Sequence, residues 1–512
     1  MKNKHLFEIS IVFAMILTAY GYFAIKGDWN TDSRLSMVKA IVEENRFEID
    51  AYRSSRDFFT RDAAKVSGHY YSDKAIGASL IGIAFYNPIY GIARASGSFL
   101  DAETFKELMT FLVISLLCAF LGPLLYSFSI KICNDSRFAL LLTVAICLGT
   151  GLYTYSAFYY AHSLVGLFLF VIFFIWFHIK GEDKINPIKV MISGYLMGYA
   201  IITEYPTVAI VFLLGLYILY ILWQKKQLSD IKIYVRLLIG FSIPIILALT
   251  YNTVIFHGPF KTGYNYEMLP IFHAGHATGF MGIGWPDLKV IFYMTFHPTM
   301  GIFLQSPFML FALIGWVRMW KIRPYRAEAL LSFGIISAYF LLMSGYYQWW
   351  GSASFMARNV IPVLPFWIIP LSFITQKWEK LTILFLTLIS IAHVLIVTST
   401  NINNDFYAIM INMPKISIDG MFQQPSTIYN GYLPSFLKQN LAPNRGQQFL
   451  HLKGFSSLIP LAVIEAALLI LFLKITSTGK NISASPIREV PPTETTDRPK
   501  IEIESPSLSA GK

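Results

Sequence analysis

The stretch Ala75–Ala95, AIGASLIGIAFYNPIYGIARA, decides how the whole chain is threaded. It is apolar enough to pass for a membrane crossing, because about 20 apolar residues at 1.5 Å rise match the roughly 30 Å of bilayer hydrocarbon. Counted as a crossing, it inverts every later segment. The clusters Lys180/Lys184/Lys189, Lys225/Lys226/Lys232/Arg236, Arg318/Lys321/Arg323/Arg326 and Lys377/Lys380 would then all face outward, against the bias of Lys and Arg toward the cytoplasmic side. Read as an interfacial or re-entrant helix broken at Asn87-Pro88, it leaves all four clusters inside with Lys2 and Lys4.

Outward from that stretch the chain is a series of apolar runs, and each can satisfy its own backbone in a membrane only as a helix. Twelve spans are expected near Leu6–Ile25, Leu108–Ile130, Phe138–Ser156, Ser163–Ile179, Val190–Thr203, Thr207–Trp223, Val235–Phe256, Val290–Trp316, Ala327–Ser344, Val360–Ile374, Leu381–Thr398 and Leu458–Ile475. Ile188–Trp223 would reach roughly 54 Å as one helix, so it is divided at Glu204-Tyr205-Pro206, where proline ends the helix before it. The reading is an all-α integral membrane protein of about twelve spans with interfacial helices on its outer face. Residues 1–476 form the polytopic domain, with outer loops at 26–107, 257–289 and 399–457. The Ser-, Pro- and Thr-rich segment 477–512 reads as a disordered cytoplasmic tail.

Composition agrees. Of the 512 residues, 55% are hydrophobic and 14% charged, far from the balance of a soluble protein. The net charge of +11 does not indicate nucleic acid, because the basic residues fall in short loops between apolar runs. Cys118, Cys133 and Cys147 lie in or beside apolar segments and offer no disulfide framework. The first apolar run lacks a small-residue cleavage site and reads as a retained span with the N-terminus cytoplasmic. No Asn-x-Ser/Thr occurs in the expected outer loops, which fits a bacterial inner membrane with the C-terminus also cytoplasmic.

Function belongs on the outer loops. The first opens GDWNTDSRLSMVKAIVEENRFEID (Gly27–Asp50) and continues TRDAAKVSGHYYSDKAIGASL (Thr60–Leu80). Apolar Met37, Val38, Ile41 and Val42 recur at helical spacing, so Asp32 or Ser33 is placed to cap a surface helix. Asp28 and Asp32 both stand just after the first span. Glu204 lies near an outer helix end, where a carboxylate is costly unless it faces a wet interior cavity. His273 and His276 read as loop residues.

Asp32-Ser33-Arg34 followed by Asp73-Lys74-Ala75-Ile76-Gly77 resembles the GT-C glycosyltransferases that use lipid-phosphate sugars, the family of protein mannosyltransferases and the lipid A aminoarabinose transferase. Those enzymes carry an Asp-Glu pair at the first motif and a Glu-Lys-Pro-Pro-like turn at the second. Here Ser33 replaces the second acid and the prolines are missing. GHYYSDKAIG (Gly68–Gly77) and YYQWWGSASFMARNVIPVLPF (Tyr346–Phe366) are similar to a bacterial branch of GT-C-like membrane proteins, as are HGPFKTGYNY (His257–Tyr266) and TFHPTMGIFLQSP (Thr295–Pro307).

The resemblance implies transfer of a sugar from a polyprenyl-phosphate donor to an acceptor hydroxyl of a lipid, glycan or protein on the outer face, with inversion. Asp32 or Asp28 would take the acceptor's proton, and Lys74 and Arg358 would meet the departing phosphate. Tyr71 and Trp350 are implied as substrate-binding residues; Trp349, Trp350, Tyr346 and Tyr347 fit sugar stacking and an interfacial aromatic belt equally. Asp73, with His69 nearby, stands where relatives can carry a metal-binding acid, so a divalent metal ion is the one cofactor implied. The chain has no Gly-x-Gly-x-x-Gly unit, P-loop or soluble nucleotide domain, which agrees with a lipid-borne donor. Two rival readings remain: an O-antigen ligase or polymerase using a diphosphate-linked glycan, and a transporter or flippase.

Overall fold

The computed structural model describes residues 2–23, 27–298, 300–351, 356–400 and 428–477. The expected tail beyond Ser477 and the middle of the 399–457 loop lie outside the described residues. The rest is a helical membrane architecture with one small hairpin.

Helix α1 is Lys2–Tyr22, α2 is Trp29–Glu44, and the antiparallel strands β1 (Ala63–Val66) and β2 (His69–Ser72) pair Ala63 with Ser72 and Val66 with His69. Gly77–Ser96 forms α3, and the helical run Ala102–Cys133 forms α4. Along the bundle follow α5 (Ser136–Leu148), α6 (Ala161–Ile179), α7 (Pro187–Thr203), α8 (Tyr205–Gln224) and α9 (Ile231–Phe256). After the short α10 (Pro270–His276) and α11 (Leu288–Phe296) come α12 (Ala312–Lys321), α13 (Arg323–Ser344), α14 (Arg358–Leu371), α15 (Lys377–Ser399) and α16 (Gly454–Ser477).

Among the described residues, eight helices are long and apolar enough to cross a membrane, so the expectation of about twelve spans is not reached on length and composition. Three expected spans are the shorter apolar helices α5, α7 and α14. Val290–Trp316 is not one helix. It breaks into α11, Ile302–Gln305, Pro307–Phe311 and α12, where Pro298 and Pro307 lack the N–H a continuing helix needs.

The deciding stretch is not among the crossing helices. The expected break at Asn87-Pro88 is absent, and α3 runs unbroken through Pro88. It buries Gly77, Ala78, Ser79, Gly82 and Tyr86, with Gly82 set against Val38 of α2 and Tyr159. Helices α7 and α9 approach through glycine: a Cβ on Gly194 would meet the Leu237 carbonyl at 2.1 Å, and one on Gly240 the Met191 carbonyl at 2.2 Å. The expected division at Glu204 is present, with Glu204 extended between α7 and the helical turn Tyr205–Thr207.

Helix α2 is no surface helix, since Asn30–Val38 are buried and only its C-terminal end is open. Its cap is Asp28, which accepts from the Thr31 amide at 3.1 Å, in place of Asp32 or Ser33. Helix α4 starts well before its expected span, under an Asp101 cap, and so places Lys106 beside α2. The cysteines are free thiols.

Candidate active site

At the end of the bundle where α2, the hairpin and the 257–289 loop meet, a cavity of about 200 Å³ opens. Three acid–base pairs share its wall. Lys74 Nζ stands 2.8 Å from Asp62, Arg34 Nη2 donates to Glu204 at 3.1 Å, and His276 Nδ1 lies 2.9 Å from Glu267. The first pair flanks the hairpin and the third lies within one loop, whereas Arg34 and Glu204 are 170 positions apart and are brought together only by the folded bundle.

Asp62 is fixed from below: its amide donates to Thr60 Oγ1 at 3.0 Å, and that hydroxyl donates to the Trp29 carbonyl at 2.8 Å, tying Asp62 to the start of α2. Burial pushes its carboxyl above the usual range, Lys74 pulls it down, and Asp73 pushes it up again. Lys74 also meets Asp73, at 2.9 Å. Burial opposes the lysine's charge, yet Asp62 and Asp73 hold its ammonium above the ordinary lysine range.

Glu204 spans Arg34 and His162 Nδ1, the latter at 3.5 Å. It lines the cavity, as the cost of a lipid-facing carboxylate required.

Glu267 reaches the cavity because the middle loop is stitched to β1. It bridges Ala64, and the next amide, Met268 N, donates to the Ala63 carbonyl at 2.9 Å. Burial first, then Asp73, pushes its carboxyl up to about 9. His276 is lowered to about 4 by burial and by Lys74. Burial thus disfavours the charged form of both partners. His276 Nε2 lies 3.0 Å from the Tyr346 hydroxyl, and its ring stacks on Tyr264 at 4.1 Å.

The third cation of the wall is Arg358, whose Nη1 donates to the Tyr160 hydroxyl at 2.8 Å while its guanidinium lies 4.7 Å over that ring. The Tyr160 hydroxyl in turn donates to Asp28. Asp28 thus stands behind the wall, linked to the cavity through Tyr160 and Arg358. Asp32 does not line it: its carboxylate pairs with Lys106 at 2.6 Å and is pushed up to about 6 by burial, against the pull of Lys106.

The two motifs that carried the resemblance pack against each other. Ser33 Oγ lies 2.9 Å from Ser72 Oγ and donates to Asp73 at 3.2 Å, while Gly263 of the middle loop closes on the Asp73 backbone where a Cβ would come within 2.5 Å. Asp73, offered for a metal, therefore has one oxygen on Ser33 and the other on Lys74. Among the described residues no group of three or more His, Cys, Asp or Glu is arranged to hold a metal ion.

Tyr71 is turned away from the cavity. Its hydroxyl reaches Glu48 at 3.3 Å, its ring packs on Phe256, and burial raises its phenol to about 12. Trp350 is buried edge-on against Trp349, and neither lines the cavity, whereas Tyr346 and Tyr347 do. His69 is exposed at the hairpin end, 2.7 Å from Asp50, and His273 is exposed on α10.

Sequence reading gave no role to Arg34, Asp62 or Glu267. Arg34 and Asp62 sat inside the quoted stretches, so their position was visible; that Arg34 pairs with Glu204, 170 positions away, was not.

No family model matches the chain, and no curated protein matches it. Among solved structures the chain is similar to ArnT from Cupriavidus metallidurans, in a crystal structure bound to undecaprenyl phosphate. That likeness has 12% identity over 92% of this chain and 76% of that one, with a TM-score of 0.44. At this level it assigns neither a residue role nor an activity to the present chain.

Proposed function

We propose that the protein transfers a sugar from a polyprenyl-phosphate-linked donor to an acceptor hydroxyl on the outer face of the membrane, with inversion at the anomeric carbon. One observation carries the reading. Arg34, Lys74, Arg358 and three carboxyl groups converge on a cavity also lined by Val208, Ala209, Leu342 and Met343, so one space has polar walls and an apolar side. A lipid phosphate needs both. The basic ends of α6, α8 and α15, at Lys180, Lys225 and Lys377, lie opposite the cavity end, which supports an outward cavity by the positive-inside rule.

In this reading Asp62 takes the acceptor's proton. It lines the cavity, and its raised carboxyl is better matched to proton uptake than an ordinary aspartate. Glu267 is held by His276, and Glu204 by Arg34 and His162. The acceptor oxygen bonds to the anomeric carbon as the bond to the phosphate oxygen breaks, and the electron pair leaves with the phosphate toward Arg358. Lys74, matched by two carboxylates, positions Asp62 instead of meeting phosphate. No step is assigned to a metal.

The test is turnover of labelled polyprenyl-phosphate sugar by purified protein in bilayers, with Asp62→Asn beside Asp28→Asn and Asp32→Asn. The expected loss in Asp62→Asn is about 10²- to 10⁴-fold. Full turnover in that variant with loss in Asp28→Asn would move the base to Asp28, acting through Tyr160; loss only in Asp32→Asn would restore the residue the sequence offered first. No turnover by wild type with any lipid-phosphate donor would end the reading.

A further inference from the structure

Helix α2 presents two polar side chains to the cavity one turn apart, Asn30 and Arg34, which are 7% and 3% exposed. Glu204 takes only Nη2 of Arg34. Among the described residues, its Nε and Nη1, and Oδ1 of Asn30, are buried without a hydrogen-bond partner. Buried polar atoms are nearly always paired, and leaving a charged donor unpaired is costly. Both side chains line one cavity, and the two donors and one acceptor they leave unpaired set the chemistry of what would complete them: an anion joined to a group that donates a hydrogen bond.

We propose that Asn30 and Arg34 form a recognition pair for a glycosyl phosphate, Arg34 taking an oxygen of the phosphate and Asn30 a hydroxyl of the sugar joined to it. Side chains four residues apart on a helix have their Cβ atoms about 5–6 Å apart. A phosphate and a ring hydroxyl near the anomeric carbon of one molecule bridge such a gap. Lys74 is excluded as the primary phosphate ligand by its two carboxylates, whereas the guanidinium of Arg34 meets one carboxylate through Nη2 and keeps Nη1 as a donor for one phosphate oxygen. Glu204 positions Arg34 and shares its charge with His162. The proposal rests on the sugar-transfer reading and sharpens it, because it puts donor recognition on α2 and leaves the Asp62 side of the cavity to the acceptor.

The test is equilibrium binding to full-length protein in nanodiscs, with a short-chain polyprenyl phosphate and with the same lipid carrying glucose, galactose or mannose. Arg34→Gln should weaken both lipid classes by about 10- to 100-fold. Asn30→Ala should leave the bare lipid phosphate unchanged and weaken the favoured glycosylated lipid by about 3- to 10-fold. Arg34→Gln leaves Glu204 unpaired, so Arg34→Gln with Glu204→Gln is measured beside it and should show the same loss with normal thermal unfolding. Wild-type affinity retained in both Arg34 variants would overturn the phosphate assignment and leave a wall satisfied by water. Equal effects of Asn30→Ala on bare and glycosylated lipid, or no gain from any sugar in wild type, would overturn the sugar assignment. Displacement of the lipid by inorganic phosphate at equal concentration would show a site for free phosphate and overturn the lipid-borne one. Arg34-dependent binding without sugar transfer would remove the enzyme reading and leave the recognition pair in place.

Discussion

The two ends of the bundle treat charge differently. At the end away from the cavity, ions are matched one to one. Lys180 donates to both oxygens of Glu328 at 2.8 and 3.1 Å, Arg318 clasps Glu379 with two bonds of 2.7 Å, and Lys380 meets Asp135 at 2.9 Å. Tyr217 adds a hydrogen bond to Glu328, and Glu379 also caps α15. Around the cavity itself the balance is different: Lys74 serves two carboxylates, Arg34 keeps two nitrogens without a hydrogen-bond partner among the described residues, and burial pushes the Glu267 carboxyl far above its ordinary range. Satisfied pairs fix helices, whereas unsatisfied ones are retained where a ligand is to complete them.

The comparison breaks first at Glu328. This carboxylate is fully buried, so Glu328→Gln leaves the Lys180 ammonium without its counter-ion. Removing one partner of such a pair costs about 3–5 kcal/mol. Unfolding of the variant in detergent should show that loss; an unchanged transition would mean the matched end is not what holds the bundle.

Between the ends, the α7–α9 contact is expected to be nearly as intolerant. Gly240→Ala forces a methyl against the Met191 carbonyl and should cost about 1–3 kcal/mol, read in the same unfolding assay.

At the cavity end the prediction concerns pH. Glu267 has a folded pKa of about 9 against an ordinary 4.5, so the folded protein holds a proton that the unfolded chain has released. Its contribution is fully present below the ordinary value and is lost as pH rises through about 9. Stability should therefore fall from about pH 7 to about pH 9, by at most about 1.4 kcal/mol per unit from this group. Glu267→Gln should flatten that part of the profile.

The smallest effect is expected at the exposed His69–Asp50 pair, where Asp50→Asn should change stability by less than about 1 kcal/mol and leave sugar transfer intact.

Much of the frame was legible in the sequence because it follows from hydropathy and proline. Pro206 marked the division at Glu204, the basic clusters fixed which helix ends lie together, and Ala75–Ala95 was recognised as largely helical. The unbroken passage through Pro88 was not legible, because tertiary packing on α2 overrides a single lost backbone bond. Nor was the fragmentation of Val290–Trp316, whose hydropathy hides Pro298 and Pro307.

The site was half legible. Lys74, Arg358 and Glu204 line the cavity, but Tyr71 and Trp350 are turned into the core, and Asp28 proved to be a helix cap behind Tyr160. The decisive contacts cross the chain, Arg34 to Glu204 over 170 positions, and no local pattern encodes them. His276 was read as a loop residue because what draws it into the wall is Tyr346, 70 positions away, together with Glu267 of its own loop.

The most direct test sets the two ends against each other with the same chemical change. Glu204→Gln and Glu328→Gln are each measured for sugar transfer per folded molecule and for unfolding. The two ends predict different results: Glu204→Gln loses transfer beyond what its loss of stability explains, because its folded fraction fails to transfer sugar, whereas Glu328→Gln loses stability while its folded fraction still transfers sugar. Selective loss of transfer in Glu328→Gln, or equal loss of both properties in the two variants, would contradict the assignment of function to the cavity end.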